Sequence, residues 1–173
     1  MLPVVLLKEK VLVEFITYPA VDIKSVEKLV GEQIQINKID KFDFLLKHRV
    51  SINLKAVKGD GAYLLNGPTP SAFLYHKGAT FTDRENKEKQ AKDFYYMYFV
   101  LRYAPDIDAV LREVSQFKKD GYFMSVPENL AKFFGRASSS GCLMVERENG
   151  PDEYISDLRR DIFERFNKLR EVL

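Results

Sequence analysis

One cysteine, two histidines and no tryptophan stand among 173 residues, and each scarcity closes off a class of chemistry. The lone thiol, Cys142, cannot form an intrachain disulfide, which fits a reducing compartment and a cytoplasmic address. His48 and His76 show no zinc-ligand spacing with that cysteine. No apolar run approaches the roughly 18 residues that span a bilayer, so no membrane partner is expected. The opening MLPVVLLKEK has only a short apolar patch with no basic stretch before it, and does not read as a signal peptide. Charge excess is lacking too. The 27 basic and 25 acidic residues leave a net +2, which argues neither for nor against nucleic acid. Ser138-Ser139-Ser140 has no histidine partner at a recognisable spacing and reads as a mobile loop. Lys58-Gly59-Asp60-Gly61 precedes a strand rather than a helix, so it is not a phosphate-binding loop.

What is present describes a folded domain, with 46% hydrophobic and 30% charged residues. The front reads as sheet. Val4 to Leu7 and Val11 to Thr17 are dense in aliphatic and β-branched residues. Ile23 to Val30 suits a short helix, Ile34 and Ile36 a short strand, and Ile39 to His48 a short amphipathic helix. Val50 to Val57 and Ala62 to Leu65 read as a hairpin around an Asp-Gly turn. After Pro68 the period becomes helical. Thr69 suits an N-cap with Pro70 at the first helical position. Further helices are expected over Gln90 to Tyr103, Asp106 to Phe117, Pro127 to Gly135 and from Pro151, with a flexible break over Ser138 to Gly141. The expected class is α+β: a mixed-sheet front over residues 1–67 and a helical part over 68–173, packed as one unit.

Two sets of residues could carry chemistry. Glu14 lies in a strand that is apolar on both faces, where a carboxylate is costly to bury unless it is paired, bound to metal or faces a cleft. The alternative is a strand-end residue turned to water. The second set is His76, Lys77, Arg84, Lys89, Lys92 and Asp93, on two consecutive helices that a short linker forces together. Lys77 falls between Phe73 and Phe81 on the apolar side of its helix, and Asp93 precedes Phe94-Tyr95-Tyr96. A Lys–Asp pair across two helices could bind phosphate, order a metal or activate a hydroxyl. The plainer reading is a Lys89–Asp93 surface pair, with Lys77 laying its stem over the aromatics. Tyr95, Tyr96, Tyr98 and Phe99 could stack bases, but a helical aromatic run is more often core.

The order VEFIT, FDFLL, a hairpin, then P-x-P-x-x-F-x-x-HK, R and K-x-x-KDFYYMYFVL resembles the C-terminal half of nucleotidyltransferases of the DNA polymerase beta superfamily. The resemblance covers roughly Val11 to Val114 and is nearest to stand-alone proteins related to type IV toxin–antitoxin toxins. It implies that Glu14 is the third metal-binding acid, that Lys77 and Asp93 face the catalytic centre, and that His76, Arg84, Lys89 and Lys92 contact nucleotide or phosphate. It implies Mg²⁺, a nucleoside triphosphate, and an RNA or protein acceptor. The Gly-Ser turn and the leading Asp-x-Asp pair have no counterpart in the 13 residues before Glu14. A two-metal clamp is then left with one acid, and the isolated chain is expected to be inactive. The chain is thus a truncated form, a degenerate relative, or one half of a site completed by another chain. The alternative is an interaction module that binds a partner such as an antitoxin, or a second copy of itself. If Glu14, Lys77 and Asp93 share an active-site cleft, Lys77→Ala should cost within about 1 kcal/mol, whereas a core bridge should cost several.

Overall fold

In the computed structural model the described residues are 14–17, 22, 24–25, 35–55, 61–150 and 157–173. They divide into two compact units, residues 1–43 and 44–173. The fold is α+β and predominantly helical.

In the first unit, β1 (Glu14–Thr17) pairs in parallel with β2 (Gln35–Lys38), and Glu14 lies opposite Gln35. The expected strand at Val4 to Leu7 lies outside the described residues, as does most of the expected helix at Ile23 to Val30. Helix α1 (Phe42–Lys47) begins later than the sequence period suggests, after Lys41 with φ 57°.

The hairpin forms within the second unit. β3 (Arg49–Lys55) runs antiparallel to β4 (Ala62–Pro68), with Ile52 opposite Leu65 and Leu54 opposite Tyr63. The two sheets described are each two-stranded, so the single mixed sheet expected at the front is not formed among the described residues. Alternation places Val50, Ile52 and Leu54 on one face of β3, and the register adds Leu65 and Tyr63 of β4 to that face. All five stay exposed, while Ser51 and Asn66 bond to each other on the opposite face.

The helices then follow with few interruptions. In α2 (Pro70–Thr80) the Ala72 N–H donates to the Thr69 hydroxyl, the N-cap the sequence announces. A short 3₁₀ turn, Phe81–Asp83, leads to α3 (Lys87–Tyr103), which starts earlier than expected because Asn86 accepts from the N–H groups of Glu88 and Lys89. Next come α4 (Ile107–Lys119), α5 (Val126–Phe134), α6 (Ser140–Asn149) and α7 (Leu158–Glu171). Helix α6 corrects the sequence reading. Of the break expected over Ser138 to Gly141, Ser139 is the N-cap, and Ser140 and Gly141 are the first helical residues, so the helix begins inside the segment.

The core gathers α2 to α7 around Phe81, Phe94, Met97, Leu130, Phe134 and Phe166, all fully buried. Phe134 and Phe166 stack with ring centroids 3.6 Å apart. The last helix, expected from Pro151, is described from Leu158 onward, and residues 151–156 lie outside the described residues. Ile162, Phe166 and Leu169 of its stripe are buried, as is Leu173 just beyond it.

A polar tie joins α3 to α7. The Tyr98 hydroxyl donates to Asp161 at 2.6 Å, and Arg165 donates to the same carboxylate and to the Leu101 carbonyl. Burial would raise Asp161. Hydrogen bonds from Arg165 and Tyr98, with the charges of Arg165 and Arg102, outweigh it and hold the carboxyl below its ordinary value. The stability this supplies is present above the ordinary carboxylate range and is lost as pH falls through the depressed value.

The phenols behave in the opposite sense. Burial, then the bond to Asp161, pushes Tyr98 up to about 12, and burial pushes Tyr75, whose hydroxyl donates to the Tyr122 carbonyl, up to about 12. Stability is therefore full below the ordinary value of 10 and declines as pH rises from there toward 12, because the unfolded chain ionises first. An ultraviolet titration of the nine tyrosines should show late ionisation of these two. Tyr98→Phe should remove one late phenol; an unchanged late phase in that variant would refute the assignment.

Candidate functional site

The sequence brings Lys77 to the last turn of α2 and Asp93 to the second turn of α3, and the tertiary structure closes the gap between them. Lys77 Nζ lies 2.6 Å from Asp93 Oδ1, and Arg84 Nε lies 3.0 Å from Asp93 Oδ2. Asp93 is buried, Lys77 is largely covered, and Arg84 is partly open to solvent. One buried carboxylate thus accepts from cations on two sides, one from α2 and one from the linker after the 3₁₀ turn. The Lys77 ammonium also sits 5.9 Å from the Phe73 ring, which lets its stem run over the apolar surface.

Two features make this geometry. The stop at Phe81, whose N–H donates to the Lys77 carbonyl, turns the chain sharply after α2. Gln90 then donates from Nε2 to the Phe81 carbonyl at 3.0 Å, fixing the first turns of α3 against that bend. The side of α3 that carries Asp93 therefore returns to the side of α2 that carries Lys77. The Lys89–Asp93 pair considered from spacing is replaced by this longer-range pairing, since Asp93 turns inward.

The other candidates are spread apart. His76 is buried and packs edge-on to Phe123, 6.3 Å between centroids. Lys89 is exposed on the outer face of α3. Lys92 lines an open cleft of about 480 Å³ between α3 and α6, together with Lys87, Glu88, Met144 and Arg147. Lys87 and Arg147 were not singled out from sequence; the signal for Arg147 depends on α6, whose helical character is hidden by its Ser-Ser-Gly start. Glu14 heads β1, and its side chain lies outside the described residues.

This arrangement bears on what the carboxylate can do. Both oxygens of Asp93 accept from a cation, Oδ1 from Lys77 and Oδ2 from Arg84, so a phosphate at this junction would meet Lys77 and Arg84 already engaged by a carboxylate. Among the described residues, no three His, Cys, Asp or Glu side chains gather closely enough to hold a metal ion. Among those residues, too, no helix is long and apolar enough to cross a membrane. Comparison with protein families, with curated proteins and with solved structures returns no match for this chain.

Proposed function

We propose that the chain is a nucleotidyltransferase-like domain of the DNA polymerase beta type that lacks the metal-binding half with the Gly-Ser turn and leading aspartates, and is inactive alone. One observation supports the reading most: Lys77, Arg84 and Asp93, three residues singled out by the resemblance, meet in one cluster at the α2–α3 junction. In this reading the cluster is a positioning element. It holds α2 and α3 at a set angle and presents Lys92 and its cleft on the neighbouring face of α3. In this reading Glu14 is the one metal-binding acid that the resemblance assigns to this chain, and Mg²⁺ is the metal of the parent chemistry. The parent reaction moves a nucleoside monophosphate from a nucleoside triphosphate to an RNA end or a protein hydroxyl.

The test is labelled transfer in two arms. The chain alone, given α-labelled triphosphates, Mg²⁺ and RNA or protein acceptors, should yield no product. A longer reading frame carrying an in-frame Gly-Ser and Asp-x-Asp segment upstream of Met1 should yield product, lost in Glu14→Ala. Product from the isolated chain would show that the domain is complete. A genomic sequence without such an upstream segment removes the truncation reading.

A second reading, a protein-interaction module, is favoured by the hairpin. The face formed by Val50, Ile52, Leu54, Tyr63 and Leu65 is apolar and exposed, and such contiguous surface usually marks a contact site. A cognate antitoxin is one partner class for it.

A further inference from the structure

Helix α3 has two apolar faces, and the fold uses only one. Phe94, Met97 and Leu101 point into the core. On the outer face stand Lys89, Lys92, Tyr96, Phe99 and Tyr103, spaced three, four, three and four residues apart and all exposed. The aromatic members are 52%, 50% and 46% exposed respectively. This is the spacing of a helix-packing seam, on a helix whose own packing does not need it.

The order of residues along the stripe favours one occupant. Along the stripe itself Lys89 and Lys92 occupy the N-terminal end and aromatic rings the C-terminal end, with Tyr96 between; Glu88 flanks Lys92 and Arg102 flanks Tyr103. Two copies laid antiparallel about a two-fold axis at Tyr96 set Lys92 against Phe99 of the second copy and Lys89 against Tyr103. Each contact occurs twice, as a two-fold interface requires. At Phe99 the Lys92 ammonium then lies over a ring, an attractive geometry. The Tyr103 ring already carries the Arg102 guanidinium at 5.2 Å and offers Lys89 mainly apolar surface for its stem. Both ammonium groups also lie near the C-terminal half of the opposite helix, where positive charge is favoured, rather than only at their own N-terminus, where it is not. Parallel pairing would instead oppose Lys89 to Lys89 and Lys92 to Lys92. Room for a lysine stem exists at the aromatic end, where Pro70, Phe99, Val100, Tyr103 and Ala104 line a shallow recess of about 160 Å³.

We infer that the outer face of α3 is a self-association surface on which a second copy of this chain docks antiparallel. Three half-exposed aromatics cover about 100 Å² each, and with two lysine stems the patch stays below the roughly 800 Å² per partner of a standard stable interface. The dimer is therefore weak and depends on concentration. It forms whether or not the domain belongs to a nucleotidyltransferase.

Sedimentation equilibrium across a range of about 10 µM to 1 mM tests it. The weight-average mass should climb from 20.0 kDa toward twice that value. Tyr96→Lys, which opposes two like charges at the axis, should hold the chain monomeric. Phe99→Glu separates this register from general stickiness: facing Lys92 of the second copy, it should keep or tighten the dimer and make it salt-sensitive. Circular dichroism checks that these surface variants fold. A monomer throughout the range overturns the inference, as does dimerisation that survives Tyr96→Lys. Loss of the dimer in Phe99→Glu overturns the antiparallel register. Loss in Leu65→Lys, with Tyr96→Lys unaffected, would move the interface to the hairpin. A labelled oligouridine that binds this face while the chain stays monomeric would assign it to nucleic acid instead.

Discussion

Asp93→Ala should unfold this protein more readily than any other single surface-proximal change, at a cost of about 3–5 kcal/mol. The carboxylate is buried, and it is the shared acceptor for Lys77 and Arg84. Removing it leaves the largely covered Lys77 ammonium beside the Phe73 ring without this anion. For a domain of this size that loss corresponds to a fall of roughly 10 °C in Tm. Lys77→Ala should cost less, because Arg84 still covers Asp93, but more than the roughly 1 kcal/mol expected of a purely functional surface charge. The double variant Lys77→Met/Asp93→Leu tests the cause. Replacing a buried pair by apolar groups of similar volume is often close to neutral, so it should recover much of the stability lost in Asp93→Ala. Thermal and urea melts of the three variants decide the point. If Asp93→Ala melts within a degree or two of the parent, the pair is not structural, and its retention would speak for a role in binding.

Gly141→Ala should be the second most damaging change, at about 3 kcal/mol. In an exposed helix the same replacement would stabilise, because glycine costs about 1 kcal/mol relative to alanine. Here a Cβ would lie 2.6 Å from the Phe133 carbonyl oxygen and 2.7 Å from the Phe134 ring. Neither neighbour can yield. The carbonyl is backbone at the end of α5, and Phe134 is fully buried and stacked on Phe166 at 3.6 Å. Overpacking of this kind usually costs 1–3 kcal/mol, and the immobile ring places Gly141 near the top of that range. Gly150, with open space around it, has a different reason to be glycine: it ends α6 with φ 68° and ψ −178°, a backbone region essentially restricted to glycine. Denaturant midpoints should fall for Gly141→Ala, and a gain in stability would refute the close approach of α6 to α5.

The aromatic run of α3 shows where linear reading stops. From order alone, Phe94-Tyr95-Tyr96-Met97-Tyr98-Phe99 reads as core. The structure divides it: Phe94, Met97 and Tyr98 face inward, while Tyr96 and Phe99 are half exposed. A run without gaps carries no amphipathic signal, so the neighbours of the helix decide which face is covered. Helix α6 was hidden for a related reason. Ser139-Ser140-Gly141 has the composition of a break, yet the glycine is required by contact with α5, and contact is not a local property.

By itself the sequence determined the elements whose signals are local. Thr69-Pro70 opens α2 because a hydroxyl N-cap and a fixed proline φ need only adjacent residues. The hairpin follows from alternation on both sides of Asp60-Gly61, and the stripe of α7 from helical spacing. Only the tertiary structure decided that Asp93 turns from Lys89 to Lys77 and Arg84, that His76 is buried, and that α3 keeps a second apolar face in the open. Those outcomes depend on which helices cross and how closely. Burial and ion pairing are set by atoms far apart in the chain, where spacing along one element carries no information.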